Sequence, residues 1–139
     1  MTAGYLLDTS VLARAHRQPV ADRIERLGVS QPLYRYPIVD LEVLFAATSP
    51  DNYRRRKSLL AASYTELPVT AEVVARALEV QGLLAEHSQH RGVDIADLLI
   101  AATADIHDAT LVHYDRDFSA VAEVIGQPAD WVVPAGSID

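Results

Sequence analysis

The chain has 139 residues, half of them hydrophobic, and a net charge of −7 from 19 Asp and Glu against 12 Lys and Arg. This size predicts a single domain with a real core over residues 1–139, and the acidic balance argues against non-specific duplex binding, which needs a basic surface. The chain contains no cysteine, which excludes disulfides, thiolate zinc sites and cysteine nucleophiles.

The hydrophobic residues predict neither a membrane span nor a secretion signal. The longest apolar runs are short and broken by charge, whereas a spanning helix needs about 20 apolar residues. The first residues, MTAGYLLD, carry no basic region, and Asp8 interrupts the early apolar run. We therefore expect a cytoplasmic protein with no membrane partner.

The first half of the chain alternates short apolar stretches with helical patterns. Residues 5–8 predict a buried strand, and 33–36 and 64–69 predict further short strands. Helical patterns fill the stretches between them, and Pro19 and Gly28 are placed to start and stop one helix. The predicted helices of this half cover residues 9–16, 19–28, 37–48 and 52–63.

The second half begins with a long predicted helix, residues 71–89, which Thr70 could cap. The apolar positions that we expect to face the core are Val73, Val74, Ala77, Leu78 and Leu84. The remaining elements are an apolar helix, a buried strand, a helix closed by Gly126 and a last short strand, at 94–107, 109–114, 115–126 and 130–134. Strands alternating with helices predict an α/β fold with a central parallel sheet flanked by helices.

Acidic side chains follow two of the predicted strands. Asp8 ends the first strand, and Asp115 follows the strand of residues 109–114, with Asp117 two residues later. In parallel α/β sheets, ligands bind outside the carboxyl ends of strands. These acids are therefore candidates for a site at that edge of the sheet.

Two further acids lie inside apolar helical stretches. Glu42 has Ile38 four residues before it and Phe45 three after it, which predicts a shared, core-facing side of the helix. Asp97 lies in the first turn of its helix among apolar neighbours. A buried carboxylate costs free energy unless something satisfies it.

Each acid also has a structural explanation. Asp94 and Asp97 fit a helix N-cap with an acid three residues on, and Asp115 could cap the helix that it precedes. Asp8 could likewise cap the helix that begins at the next residue, and Glu42 could be a half-exposed helix residue. Taken singly, Asp97 and Asp115 favour the structural explanation, whereas Asp8 and Glu42 leave both explanations open.

Taken together, the acids favour a metal site. The cations nearest in sequence are Arg14 and Arg17 near Asp8, and Arg35 near Glu42. Unpaired carboxylates must protonate or bind cations, and a hard divalent cation prefers oxygen ligands. A carboxylate cage with metal and water is common in phosphodiester hydrolysis.

Four motifs in this chain resemble those of PIN-domain ribonucleases in order and approximate spacing. The motifs are YLLDTSVLARA, DLEVLFAA, DIADLLIAATA and TLVHYDRDF, and the resemblance extends from Tyr5 to about Trp131. The chain looks most like the VapC toxins of bacterial VapBC toxin–antitoxin pairs. The resemblance implies a single PIN domain that cleaves RNA endonucleolytically with Mg²⁺ or Mn²⁺.

The same resemblance assigns roles to the acids. Asp8, Glu42, Asp97 and Asp115 match the catalytic acidic quartet of the family, and Asp117 matches an additional acid. Asp8, Asp97, Asp115 and Asp117 would bind metal, while Glu42 would hold a metal-bound water or act as its base. The implied products carry 5′-phosphate and 3′-hydroxyl ends. The implied partners are RNA, a second copy of the chain and a VapB-type antitoxin that covers the acidic groove.

His113 departs from the family pattern, because members often carry a threonine there. We expect this imidazole to pack beside the site rather than to bind metal. Arg14, Arg91 and Arg116 are candidates to contact RNA phosphates, although solvated surface arginine is the more frequent role. The basic stretch at 52–63 could face RNA or an acidic partner, or simply be a solvated helix face.

Two other classes of function remain as alternatives. An aspartyl-phosphate phosphotransfer domain would need a lysine on a later strand, but the only lysine, Lys57, lies in an arginine-rich helical stretch. A PIN-like binding module without catalysis would keep a degenerate acidic pocket. A histidine metal site is disfavoured, because His87 and His90 have no further metal-spaced partner.

Overall fold

The structure is a computed structural model that describes residues 3–139. Five short strands form one sheet in the order β3-β2-β1-β4-β5, and all neighbouring strands are parallel. The strands are β1 Tyr5–Leu7, β2 Leu33–Arg35, β3 Thr65–Glu66, β4 Thr110–His113 and β5 Ala129–Trp131. The predicted parallel sheet is confirmed, and its central strand is the one that precedes Asp8.

Seven α-helices and one 3₁₀ turn, His90–Gly92, connect the strands within residues 3–139. The helices are α1 Thr9–Leu12, α2 Gln18–Ser30, α3 Pro37–Phe45, α4 Pro50–Ser63, α5 Ala71–Glu86, α6 Ile95–Ile106 and α7 Asp117–Ile125. Local signals explain several ends. The Thr70 hydroxyl accepts the Val73 N–H at 3.2 Å and caps α5, and Gly126 ends α7 with a φ of 67°.

The predicted stop at Gly28 is wrong, because α2 continues through it to Ser30. A Cβ atom at Gly28 would lie 3.0 Å from the Leu33 side chain. The glycine therefore permits a close approach between α2 and the start of β2 rather than ending the helix.

Helices cover both faces of the sheet. Leu6 and Leu7 are fully buried and belong to separate hydrophobic clusters, as successive residues of a strand point to opposite faces. The buried stripe of α5 is Val73, Ala77, Val80 and Leu84. Val74 and Leu78 were predicted to face the core, but they are exposed, because they lie beside this stripe rather than on it.

The order of the strands positions the site. Strand β1 is paired with β2 on one side and β4 on the other, so the chain connections diverge at its carboxyl end. Such a switch point leaves a crevice in open parallel sheets. None of the helices in the described part of the chain has the length and apolarity to cross a membrane.

Candidate active site

Asp8 is held at the carboxyl end of the central strand. Its N–H donates to Val112 O of β4 at 3.0 Å, and its side chain is buried with 3 % of the residue exposed. Oδ2 accepts the Ser10 N–H at 3.0 Å and the Ser10 hydroxyl at 2.6 Å. Asp8 therefore does cap α1, but one oxygen can take these bonds while the other remains for a ligand.

Burial is the main influence on the charge of Asp8. It raises the pKa of the carboxyl above its usual range, and the Ser10 hydrogen bonds oppose this rise, while the negative charge of Glu42 adds to it. Ser10 also accepts the Tyr114 N–H on its hydroxyl oxygen at 2.9 Å. Ser10 thus links the start of α1 to the residue after β4.

Replacing Ser10 by alanine tests this link. We expect Ser10→Ala to lower the free energy of unfolding by about 1–3 kcal/mol, because the buried Asp8 carboxylate and the Tyr114 N–H each lose a partner. Urea unfolding measures the change, and Ser58→Ala at an exposed position of α4 is the matched control. Equal effects of the two substitutions would contradict a supporting role for Ser10.

Asp97 lies one turn into α6, where its N–H donates to Asp94 Oδ1 at 2.8 Å. Asp94 is therefore the predicted N-cap. Asp97 is buried, with 8 % of the residue exposed. Burial, and then the negative charges of Asp94, Asp8, Asp115 and Asp117, raise its pKa to about 8. These neighbours show that the acids of β1, β4 and α6 converge on one region.

Asp115 and Asp117 follow β4. Asp115 Oδ1 accepts the Asp117 N–H at 2.9 Å, so its carboxylate bonds the first residue of α7 from one position before the N-cap residue, Arg116. Burial and the charges of Asp115 and Asp94 raise the pKa of Asp117. Carboxylate oxygens of Asp97, Asp115 and Asp117 all lie within 4.8 Å of one another. We call these three residues the acidic triad.

The acidic triad fits a hard divalent cation by the chemistry of its donors. Carboxylate oxygens from different segments converge there, and among the described residues this is the one cluster of three or more such side chains that could hold a metal ion. The ion pairs found within residues 3–139 lie elsewhere. Arg35, for example, pairs with Asp40 and Glu66 rather than with Glu42.

Glu42 lies outside the triad, on α3. The prediction of a core-facing helix side with Ile38 and Phe45 is wrong, because Glu42 is exposed and Phe45 is 92 % exposed; only Ile38 packs against the core. Glu42 Oε1 accepts the Thr9 hydroxyl at 2.8 Å. This bond, together with its influence on the pKa of Asp8, places Glu42 at the rim of the site.

His113 is buried between aromatic rings, with centroids 5.2 Å from Phe118 and 5.1 Å from Trp131. Burial lowers its pKa, although the charges of Asp115 and Asp130 oppose this. A neutral imidazole can accept a hydrogen bond, and Nδ1 accepts the Asp115 N–H at 3.2 Å. His113 thus packs beside the site and supports the backbone of Asp115, as expected.

The three candidate arginines have different settings. Arg14 is half-buried, whereas Arg91, in the 3₁₀ turn, and Arg116, just before α7, are exposed. Lys57 is exposed on α4 and lines a different groove, with Arg35 and Leu41 among its other walls. This position gives no lysine for phosphotransfer chemistry at Asp8.

The sequence patterns assigned no role to the hydroxyls of Thr9 and Ser10, which donate to Glu42 and to Asp8. The signal was their position directly after a carboxylate that begins a helix, where serine and threonine often bond to the helix start. The patterns also treated Asp94 only as a cap, whereas its charge raises the pKa of Asp97 and Asp117.

Comparisons with known proteins support the fold described above. The family model described as the PIN domain matches residues 5–124. Two curated proteins of Mycobacterium tuberculosis are similar to this chain. Ribonuclease VapC51 is 44 % identical to it over all of both chains. Ribonuclease VapC21 is 41 % identical to it over 99 % of both chains. The solved structure of VapBC2 from Rickettsia felis, bound to a promoter DNA fragment, matches with a TM-score of 0.76 and 19 % identity, over 91 % of this chain and 96 % of that one. VapBC-5 from Mycobacterium tuberculosis gives a TM-score of 0.62 and 26 % identity, over 93 % and 97 % of the chains.

Proposed function

Since the chain belongs to the PIN domain family, we propose that it is a divalent-metal-dependent endoribonuclease, the toxin of a toxin–antitoxin pair. The observation that carries this proposal is the acidic triad, which gathers three carboxylates beside the buried Asp8. No ion pair found within residues 3–139 involves these three carboxylates. Such a site suits Mg²⁺ or Mn²⁺, which take oxygen ligands. The names of the full-length relatives support ribonuclease activity.

The metal ligands in this proposal are Asp97, Asp115 and Asp117, with Asp8 beside them. A bound divalent cation would supply positive charge for the scissile phosphate and would make water more acidic. Without it, burial and mutual repulsion raise the pKa values of Asp8, Asp97 and Asp117, and the pKa of about 8 keeps the Asp97 carboxyl mostly protonated at neutral pH. Binding metal would therefore release protons from the site.

The other residues position these groups. Ser10 fixes Asp8 through Oδ2, and Asp94 fixes the first turn of α6 that carries Asp97. Glu42, which is exposed and bonded to Thr9, is the group best placed to accept a proton from water at the open side of the site. The roles of these acids in catalysis are our proposal.

A VapB-type antitoxin and a second copy of the chain are the proposed protein partners. The two helices that carry Glu42 and Asp97 expose large apolar side chains: Leu41 at 65 % and Phe45 at 92 % on α3, and Ile95 at 72 % on α6. Exposed apolar side chains of this size are typical of surfaces that bind other proteins. Ile95 and Phe45 belong to the same helices as Asp97 and Glu42, so a partner could cover the acidic groove.

Metal removal is the direct test of this function. We expect the purified chain to cleave cellular RNA when Mg²⁺ is present and to stop when EDTA is added, because the carboxylates alone repel RNA phosphates. Added Mg²⁺ in excess of EDTA should restore cleavage, and end-mapping should find 5′-phosphates on the products. Metal binding without cleavage of any RNA would instead support a binding module, and cleavage in EDTA would contradict the metal-dependent proposal.

A further inference from the structure

A pocket adjoins the acidic triad. It has a volume of about 380 Å³, within the range of roughly 300–1,000 Å³ common for small-molecule sites. Asp115 belongs both to the triad and to this pocket. We call it the Arg14 pocket, and its walls are Arg14, Tyr114, Asp115, Arg116, Trp131, Gly136 and Ile138.

Arg14 is held in this pocket from two sides. Its NH1 donates to Ser10 O at 2.8 Å, one helical turn back, and its guanidinium carbon lies 4.9 Å from the centroid of the Tyr114 ring. The Ser10 carbonyl and the Tyr114 ring together restrict the orientation of the Arg14 guanidinium group. Ser10 is also the residue that fixes Asp8, so Arg14 is tied to the same turn as the acidic site.

Residues 138 and 139 accept hydrogen bonds from Arg14, Arg17 and Tyr114. Arg14 Nε donates to Asp139 O at 2.7 Å, and Arg17 NH1 pairs with Asp139 Oδ2 at 3.2 Å. The Tyr114 hydroxyl donates to Ile138 O at 2.7 Å and accepts the Ile138 N–H at 3.2 Å. The segment 134–139 therefore supplies part of the pocket wall, through Gly136 and Ile138, and is held by contacts to Arg14, Arg17 and Tyr114.

A ligand could displace the contacts of Asp139 to Arg14 and Arg17 at little cost in free energy. The Asp139 side chain is 98 % exposed and that of Arg17 is 37 % exposed, and exposed ion pairs contribute only about 0–1 kcal/mol. Arg14 keeps its bonds to Ser10 and Tyr114 if Asp139 leaves. The Nε–H of Arg14 would then be available to donate to a ligand in place of Asp139 O.

The walls match the parts of a nucleotide. Oxygens of Asp139 lie on two arginines, and phosphate oxygens are the other common ligands of such guanidinium groups. Tyr114 and Trp131 form an edge-to-face pair with centroids 5.3 Å apart, which gives the pocket an aromatic wall of the kind that bases pack on in single-stranded RNA. Duplex RNA presents no unstacked base for such a wall.

We propose that the Arg14 pocket binds one nucleotide of single-stranded RNA beside the scissile phosphate, with Arg14 contacting a phosphate, and that Asp139 competes with that phosphate for Arg14 and Arg17. This proposal rests on the proposed function, because it assigns a subsite of the same substrate. It makes the segment 134–139 a restraint on RNA entry rather than a passive end of the fold.

The test uses binding of a fluorescein-labelled, mixed-sequence single-stranded RNA 12-mer to the full chain carrying Asp8→Asn, with Mg²⁺ present. Asp139→Asn, which removes the carboxylate charge that pairs with Arg17 but leaves the main-chain oxygen on Arg14, should tighten binding by about two- to fivefold. Tyr114→Phe keeps the ring but removes both bonds to Ile138, and it should tighten binding in the same direction. Gains in affinity of this kind cannot come from misfolding.

Arg14→Gln should weaken binding by about tenfold, because a charge-assisted bond to phosphate is lost, and it should reduce the slope of log Kd against log salt by roughly 0.7. In an Arg17→Gln background, Asp139→Asn should lose most of its effect, since the Asp139 carboxylate pairs with Arg17. Asp130→Asn on β5 is the control, because it removes an exposed charge that does not contact Arg14.

Two results would overturn the subsite. Equal gains from Asp139→Asn and Asp130→Asn would assign the effect to net charge alone, and unchanged affinity of Arg14→Gln would exclude a phosphate contact. Neither result bears on the proposed endoribonuclease function. That function is tested separately, by Mg²⁺-dependent cleavage of cellular RNA with the unmodified chain. Loss of that cleavage would refute the proposed function, whatever the 12-mer shows.

Discussion

We expect Asp8→Asn to reduce RNA cleavage by roughly 10²–10³-fold, because it removes a preorganised charge beside the scissile phosphate. The fold should survive, since asparagine keeps an oxygen that can accept the two bonds from Ser10. A neutral amide also avoids the cost of burying the carboxylate, whose pKa burial raises. The measurements are the rate of cleavage of labelled RNA in excess Mg²⁺ and the thermal unfolding midpoint.

Asp51→Asn is the matched control for this substitution. Asp51 lies in the first turn of α4, with its side chain 92 % exposed, and pairs with Arg54. The same chemical change there should therefore leave cleavage unaltered. If Asp8→Asn cleaves RNA as fast as the parent, Asp8 has no catalytic role and the proposed mechanism fails.

We expect the second large effect at Asp97, where Asp97→Asn should raise the unfolding midpoint of the metal-free protein by at least about 5 °C at pH 8. The folded pKa of about 8 lies above the ordinary value of 3.8. The unfolded chain therefore loses its proton first, and stability falls as pH rises from about 4 to about 8. The asparagine variant has no proton to lose, so this part of the pH dependence should disappear.

Unfolding scans in EDTA at pH 5 and pH 8 measure this effect, and Mg²⁺ provides a second readout. Binding to the folded state alone stabilises a protein, so Mg²⁺ should raise the midpoint of the parent at pH 8 and that of Asp97→Asn much less. Asp105→Asn, on the same helix, is the control of opposite sign, because it breaks the pair with Arg76 at 2.8 Å. A lower midpoint for Asp97→Asn at pH 8 would show that this carboxylate stabilises the metal-free fold.

Most helices and strands followed from sequence patterns, because local signals act over a few residues, but the helix predicted over 9–16 ends at Leu12. Thr70 and Asp94 cap the predicted helices, and Gly126 adopts the left-handed conformation that ends α7. The failures arose where a distant contact decided the outcome. Gly28 stays inside α2 because Leu33 packs against it, and no local rule reveals that neighbour.

The acids of the site were found from sequence, but their arrangement was not. Strand ends predicted that Asp8 and Asp115 lie at one edge of the sheet, and the order β2-β1-β4 brings them together there. Asp117 was expected to bind metal together with Asp97 and Asp115, and the three carboxylates do lie together in the acidic triad. Glu42 was expected on a core-facing side and is exposed instead, since apolar neighbours in a helix do not reveal which side the sheet covers.

By itself, the sequence determined an acidic, cysteine-free α/β domain with carboxylates after its buried strands, because hydrophobic periodicity and capping depend on neighbouring residues. Only the tertiary structure decided which carboxylates share a site and how strongly burial and repulsion raise their pKa values, because these depend on residues far apart in the chain. It also decided that Asp139 lies on Arg14, 125 positions away. Long-range packing of this kind leaves no periodic signal along the sequence.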